Sequence, residues 1–140
     1  MAANYTDIEK GLISAVRTVD STTPTGHPNE DLPDEKKGQA LWLQLHNLRG
    51  NSAPATLGDR GEDNHPGVLQ IDINYPEGKG SKQVLAKADT FASFFTAGKS
   101  LSYNAQEIKV LSSSIGPGRY VGGYYRVSVS VNYYARTTRS

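Results

Sequence analysis

The feature that most constrains the fold is an alternation of side chains near the end of the chain. Apolar or aromatic residues stand at Tyr125, Val127, Val129, Val131 and Tyr133, and polar residues stand at Arg126, Ser128, Ser130 and Asn132. A β-strand directs successive side chains to opposite faces, so a period of two predicts a strand from Tyr124 to Tyr134 with one buried face. The chain therefore has to build a sheet and cover one side of it.

Two earlier segments show the same period. Leu41, Leu43 and Leu45 alternate with Trp42, Gln44 and His46, and in the segment from Gly67 to Tyr75 the apolar positions are Leu69, Ile71, Ile73 and Tyr75. Shorter strands are predicted near Leu101–Tyr103 and around Glu107–Ser113, followed by a loop at 116–123, GPGRYVGG. That loop should separate the two strands of a hairpin.

Helical spacing appears in two places. Thr6 and Glu9 form a capping-box pattern, and the apolar residues that follow recur at intervals of three and four, which predicts a helix from Thr6 to Val19. Ser81 is the expected cap of a second helix that ends before Gly98. Its apolar face would consist of Val84, Leu85, Ala88, Phe91, Phe94 and Phe95.

The order of elements predicts an α+β fold with a mixed, mainly antiparallel sheet and two helices packed on one face. At 140 residues the chain is long enough for one hydrophobic core, so we expect a single domain over residues 1–140. Two segments rich in Gly, Pro and charged residues, about 20–39 and 49–66, are predicted to be polar loops. The second is expected to be an interaction loop.

Composition restricts the partners and the compartment. Fifteen Lys and Arg against fourteen Asp and Glu leave a formal net charge of +1, so no overall field attracts nucleic acid or a membrane. Cysteine is absent, which excludes disulfides and thiolate metal sites and fits a cytosolic origin. The first residues, MAANYTDIEKGL, lack the pattern of a secretion signal, and no apolar run approaches the roughly 20 residues of a membrane span.

No set of residues predicts catalysis. His27, His46 and His65 lack metal-site spacing; His46 is expected on the polar face of its strand and the other two in loops. The run Asp59, Glu62, Asp63 and His65 does not match a calcium loop, and the serines at 112–114 have no partnered histidine nearby in sequence. We therefore expect no catalytic residue, no metal and no cofactor.

The turn Gly78-Lys79-Gly80-Ser81 is the one candidate for a phosphate ligand. It precedes a predicted helix N-terminus, where backbone N–H groups attract anions. The lysine is followed by glycine, however, so the nucleotide-binding loop pattern fails. A plain turn with a helix cap is favoured over a small phosphate-binding module or enzyme.

Positive charge and aromatic residues concentrate near the C-terminus. Arg119 and Tyr120 lie in the 116–123 loop, and Arg126, Arg136 and Arg139 follow. The pattern is typical of a protein interface or a weak nucleic-acid patch, and equally of a solvated hairpin tip with a frayed tail. The sequence leaves these alternatives open.

Three segments taken in order resemble the tail terminators of long-tailed siphophages, with the resemblance covering roughly residues 5–135. They are 67–95 (GVLQIDINYPEGKGSKQVLAKADTFASFF), 101–118 (LSYNAQEIKVLSSSIGPG) and 124–135 (YYRVSVSVNYYA). In that family a similar strand runs through a Gly-rich turn into a helix with an Ala-Asp pair and a late Phe, here Ala88, Asp89, Phe94 and Phe95. A proline-glycine loop then precedes an aromatic-led strand.

The resemblance implies a structural, non-catalytic protein of the virion tail. It would assemble in the host cytoplasm as a homo-hexameric ring at the capsid-proximal end, with tail-tube protein on one side and a head-tail connector protein on the other. DNA would pass through the lumen without sequence-specific binding, and no membrane is involved. The expected interface residues are Arg49, Asp59, Arg60, Arg119, Tyr120 and Arg136.

Two alternatives remain at this point. A neighbouring neck or head-tail joining protein would have a similar small α+β fold and would differ in the end of the tube it contacts. A phosphate-ligand protein using Gly78–Ser81 belongs to another class, and nucleotide addition followed by a thermal shift would identify it.

Overall fold

The computed structural model describes residues 5–30, 32, 41–58, 61–78 and 80–138, which form two helices and one curled sheet. The helices are α1 (Tyr5–Val19) and α2 (Lys82–Phe94). The strands are β1 (Thr25–Gly26), β2 (Trp42–Arg49), β3 (Ala53–Pro54), β4 (Glu62–Pro76), β5 (Ser100–Tyr103), β6 (Gln106–Ile115), β7 (Arg119–Val121) and β8 (Tyr124–Thr138). The predicted α+β class is confirmed.

The sheet has the order β1-β2-β4-β8-β6-β5, with β3 added to β4 and β7 added to β8. Only the β1–β2 pair is parallel among the described strands, so the sheet is mixed and mainly antiparallel, as predicted. The two 15-residue strands β4 and β8 pair along their full length, from Glu62 with Thr138 to Pro76 with Tyr124. They form the centre of the sheet.

Both helices lie on one face of this sheet, as the alternation predicts. α1 contacts β5, β6 and α2, and α2 contacts β4, β6 and β8. The fully buried residues of the last strand, Val127, Val129 and Val131, lie in register with Ile73, Ile71 and Leu69. From α2 the same core receives Val84, Ala88 and Phe91, together with Phe95 directly after the helix, and from α1 it receives Ile8, Leu12, Ala15 and Val16.

Two apolar positions predicted for the face of α2 differ from the expectation. Leu85 is 44% exposed, and Phe94 is only partly buried. Ser81 occupies the cap position of α2, but its side chain makes no capping hydrogen bond because its backbone is already near the helical conformation. The helix begins where predicted, without the predicted side-chain cap.

The segment 49–66 was predicted to be a loop, and this is wrong over much of its length. Glu62–Pro66 belong to β4, and β3 pairs with that strand in the register Ala53 with Asn64. The sequence lacks a clear period here, and residues 62–66 of β4 pair with residues 134–138 of β8, which lie far away in the chain. Among the described residues of this segment, 50–52, 55–58 and 61 lie outside the strands.

The other two predicted loops also contain strand residues. Within 20–39 the described residues 20–30 and 32 include β1, which pairs with Leu43 and Gln44, and the remainder lies outside the described residues. In the 116–123 loop, residues 119–121 form β7, which returns to β8 through Gly122 and Gly123. Both glycines have positive φ, 55° and 85°, as a two-residue hairpin turn requires.

Tyr133 of β8 packs directly against Gly67 of β4, and its hydroxyl begins a chain of hydrogen bonds that reaches α1. A β-carbon at Gly67 would lie 2.5 Å from the Tyr133 hydroxyl oxygen, so only glycine fits beneath the ring. The Tyr133 hydroxyl donates to Asn47 Oδ1 (2.6 Å), and Asn47 Nδ2 donates to Glu9 Oε1 (3.2 Å). Burial raises the pKa of Tyr133 to about 12, so this hydroxyl stays a donor at neutral pH.

Candidate assembly surfaces

The face of the sheet opposite the helices is polar, and we call it the polar face. Even-numbered residues of β2, β4 and β8 share it, since odd-numbered residues enter the core. After the bulge between Val110 and Ser112, the even residues of β6 join the same face. Its central members are His46, Gln70, Asp72, Asn74, Ser112, Ser114, Arg126, Ser128, Ser130 and Asn132.

Asp72 is the centre of a hydrogen-bond network on this face. Its side chain is 2% exposed although no helix covers it. Asp72 Oδ1 accepts from Ser128 Oγ (2.5 Å) and from Gln70 Nε2 (2.8 Å). Asp72 Oδ2 lies 3.1 Å from His46 Nε2 and 3.9 Å from Arg126 Nη1. These contacts compensate the burial of a charge and hold three neighbouring strands in register.

Beyond this network the centre of the polar face consists of neutral side chains. Ser114 lies in register with Ser130, and Ser112 with Asn132, whose Nδ2 donates to Ser112 Oγ (3.0 Å). Arg126, a cation on this face, donates through Nε to Asn74 Oδ1 (2.6 Å). Because its charge also faces Asp72, Arg126 does not form the open basic patch that a nucleic-acid interface would require.

One end of the sheet, here called the turn end, carries Arg119 and Tyr120. Tyr120 is 70% exposed and packs edge to face against Tyr125, with ring centroids 5.4 Å apart. Arg119 is exposed, but its Nη2 donates to Ser128 Oγ (3.2 Å), which ties it to the Asp72 network. The turn after β4 joins this end because Glu77 N donates to Gly123 O (3.0 Å).

The opposite end, here called the arm end, carries Arg49 and Arg136. Arg136 lies in register with Asn64, ten residues along β8 from Arg126, or about 33 Å along the strand. Its guanidinium carbon lies 5.7 Å from the Tyr134 ring centroid. Arg49 lies 3.6 Å from Glu9 Oε1 and 5.4 Å from the centre of the Tyr5 ring, so part of its charge is already used within the subunit.

The structure thus separates the residues predicted for the interface into two groups. Arg119 and Tyr120 share the turn end, whereas Arg49 and Arg136 belong to the arm end. Asp59, Arg60 and Arg139 lie outside the described residues. Within the described part of the chain, no single surface collects all of the predicted positions.

His65 was predicted in a loop, and this is wrong. It lies in β4, is 4% exposed, and joins the start of α1 to the arm end. Its Nδ1 lies 2.6 Å from Ser52 Oγ and its Nε2 lies 2.8 Å from Thr137 Oγ1. Tyr5 packs edge to face on the imidazole at 5.3 Å. Sequence reasoning missed the site because His65 and its three partners, Tyr5, Ser52 and Thr137, are far apart in the chain.

A buried ion pair connects the two helices. Lys87 Nζ lies 2.6 Å from Asp20 Oδ2, and Asp20 also accepts from the backbone N–H groups of Thr22 and Thr23. Burial by itself raises the pKa of the Asp20 carboxyl, but Lys87 and the threonine hydrogen bonds outweigh burial and hold that pKa well below its usual range. The pair is structural, since it fixes the end of α1 against α2.

The sequence also singled out His27, His46 and the turn at 78–81 as possible chemical sites. His46 lies on the polar face of its strand, as predicted, and His27 lies in the loop after β1. No group of three or more histidine and carboxylate side chains within the described residues could hold a metal ion. Gly78 and Gly80 have positive φ, consistent with a turn before α2, and Lys79 lies outside the described residues.

Comparisons with known proteins agree with the fold. A family model described as "Phage tail terminator protein" matches residues 7–133. Twelve chains of solved structures also match. One of them is 18% identical, with 94% of this chain and 92% of that chain covered and a TM-score of 0.68, a likeness that concerns the fold alone. No curated protein matches. None of the described helices is long and apolar enough to cross a membrane.

Proposed function

Because the chain belongs to the phage tail terminator family, a family with a structural role in tail completion, we propose that it caps the tail tube as a homo-hexameric ring. One side of the ring binds the last ring of tail-tube protein, and the other side presents the joining surface for the head-tail connector protein. The protein then lies at the capsid-proximal end of the virion tail, after assembly in the host cytoplasm. The role needs no catalytic step, cofactor or metal.

The observation that carries this proposal beyond the family is the difference between the two ends of the sheet. The turn end presents an exposed aromatic hairpin with Tyr120, whereas the arm end presents Arg49 and Arg136. A ring built from such subunits has two different sides, since cyclic symmetry repeats each end around the axis without exchanging the two. One side can then bind the tube in the way that a further tube ring would, while the other side lacks the surface to which the next tube ring would bind. Polymerisation therefore stops.

The polar face supports the assignment of the lumen. DNA must slide past the wall during ejection, and each lysine or arginine that binds a phosphate would slow this movement. The centre of the face carries serine and asparagine, and Arg126 is neutralised by Asp72 and bound to Asn74. We therefore assign the polar face to the lumen, where DNA passes without sequence-specific binding.

Exchange of Tyr120 tests whether the turn end is a joining surface. Tyr120 is 70% exposed, so Tyr120→Ser should change the free energy of unfolding by less than about 0.5 kcal/mol. We expect loss of an aromatic contact to leave either overlong tails or tails of normal length that do not join heads, as measured by electron microscopy of phage carrying the variant.

The two phenotypes identify the partner. Overlong tails would show that the turn end binds tube protein, and unjoined tails would show that it binds the connector. Tyr120→Phe keeps the aromatic side chain and should assemble normally. Normal tail length and normal joining in Tyr120→Ser phage would remove the turn end from both interfaces.

A further inference from the structure

β6 extends beyond its partner β5 and leaves a free sheet edge. β5 and the residues before it pair with β6 no further than Val110, so residues 111–115, here called the β6 edge, have β8 as their only strand neighbour within the described chain. Gly116 N donates toward β8, and the backbone groups of an antiparallel strand alternate in direction. The N–H and C=O groups of Ser113 and Ile115 therefore point away from the sheet.

The side chains of the β6 edge suit a strand that is paired on both sides. Leu111 is 53% exposed and Ile115 is 38% exposed, with three serines between them. The edge carries neither a charged residue nor a proline, two features by which proteins protect a free edge from pairing. Its backbone groups therefore offer a template to which a further strand can add.

β2 has a second free edge on the other side of the sheet. β1 pairs with β2 no further than Gln44, so residues 46–49, here called the β2 edge, have β4 as their only strand neighbour within the residues that the structure describes. Leu43 N donates away from β4, to the residue before β1, and the alternation directs the backbone groups of Asn47 and Arg49 to the same side. These groups are open to a partner strand.

A groove follows the β2 edge. It has a volume of about 420 Å³ and lies between this edge, Glu9 of α1, and Pro28 and Asn29 of the loop after β1. Gln44 holds that loop in place, because its amide donates to two backbone carbonyls of the loop. Leu48 lines the groove and is 54% exposed. A strand that adds to β2 would therefore enter a preformed groove and cover an apolar side chain.

The two edges lie at the same level of the sheet. One row of paired residues runs across it through Leu48, Val68, Asn132 and Ser112. Each strand in the order β2, β4, β8 and β6 is antiparallel to the one before, so β2 and β6 run in opposite directions. When a second copy is placed beside the first by rotation about an axis along the strands, its β2 edge meets the β6 edge of the first copy in antiparallel orientation.

The proposed function leaves these two edges for contacts within the ring. With the polar face toward the lumen, the helices lie on the outside, and the turn end and the arm end face the two sides of the ring. The β2 and β6 edges then point sideways, toward the neighbouring copies. Two different edges of one chain that meet in this way form a heterologous contact, which closes into a ring when the rotation per subunit fits.

We propose that the β6 edge of each copy adds as an antiparallel strand to the β2 edge of the next copy, so that the sheets of the ring join side by side. The proposal rests on the ring of the proposed function and assigns the surface that closes it. The occupant of each edge is a second copy of this chain, because the other edge of the same sheet matches it in level and in strand direction.

Cysteine crosslinking tests the contact directly, because the natural chain contains no cysteine. Leu48→Cys is combined in turn with Ser112→Cys and with Ser114→Cys, since these positions lie on the same face of the sheet. Within one subunit the thiols at 48 and 112 are separated by three strand spacings, about 14 Å, which exceeds the limit of about 7 Å for a disulfide. A bond between them therefore joins two copies.

After oxidation of isolated tails, we expect covalent species up to the hexamer on a non-reducing gel from at least one double variant. Leu48→Cys with Asn132→Cys is the matched control, because it moves the second thiol one strand inward in the same row. This control and each single variant should remain monomeric. A ring seen on the tails without crosslinked species from both double variants would overturn the edge pairing and leave the proposed function intact, whereas absence of the protein from tail ends would overturn the function.

A charge on the β6 edge provides an independent readout. Leu111→Lys should keep the melting temperature of the subunit, because this side chain is largely exposed, and should remove the ring from the tails, because lysine on an edge opposes strand addition. Ala86→Lys is the matched control, since it adds the same charge on the exposed side of α2 and should keep the ring. A ring that persists in Leu111→Lys tails would overturn the proposal, and a ring that forms but no longer binds the tube would assign this edge to the tube protein instead.

Discussion

Replacing Val129 with aspartate should abolish the soluble fold. Val129 is fully buried in the middle of β8, between Ile71 of β4 and Ile115 of β6. The change forfeits about 1.5 to 3 kcal/mol of apolar burial and adds a buried carboxylate without a partner, which costs several kcal/mol more. Against a total stability of about 5 to 15 kcal/mol, little folded protein should remain.

The soluble yield and the far-ultraviolet circular dichroism of the variant measure this effect. Asn132→Asp is the matched control, because it adds the same charge to the same strand on the polar face, beside the Ser112 hydroxyl. We expect the control to be soluble and folded. A soluble Val129→Asp variant with the native spectrum would contradict the assignment of the core face.

Replacing Asp72 with leucine should produce the second largest loss of stability. The change leaves the Ser128 hydroxyl and the Gln70 amide without their acceptor and removes the carboxylate opposite Arg126. Removal of one member of a buried charge network typically costs about 3 to 5 kcal/mol. Urea unfolding at neutral pH should show the loss as a lower midpoint.

Asp72→Asn provides the matched control. It keeps the size of the side chain and one carbonyl oxygen that can accept from Ser128, so its loss should be clearly smaller. An unfolding free energy of Asp72→Leu within about 0.5 kcal/mol of the natural protein would show that the network contributes little to stability. In that case the network would only determine which polar groups the polar face presents.

The sequence predicted the parts of the fold that depend on local periodicity. The alternation through Val127, Val129 and Val131 identified the core face, and helical spacing identified α1 and α2. These predictions succeed because burial of one face imposes its period on every residue of a strand or helix.

The sequence did not predict features that depend on pairing between distant segments. Asp72 stands between the apolar positions Ile71 and Ile73 of the alternating segment, but its burial depends on Ser128, 56 positions later. The segment 62–66 looked like a loop because its strand partner lies at 134–138. Register between distant strands is set by the whole sheet, so no local window contains it.

The predicted interface positions show the same limit. Arg119 and Tyr120 stand out in sequence as a basic aromatic pair, and the structure locates them at the turn end. The segment that contains Leu57 was predicted to be an interaction loop, but the sequence did not single out Leu57 itself. Its 93% exposure became visible only in the folded chain.

The position of the protein on purified tails, imaged by electron microscopy with a label on this chain, tests the central claim most directly. The account predicts one ring at the capsid-proximal end of each tail, with overlong tubes when the protein is missing. Label along the length of the tube, or at the distal end, would contradict the claim that this protein terminates the tail.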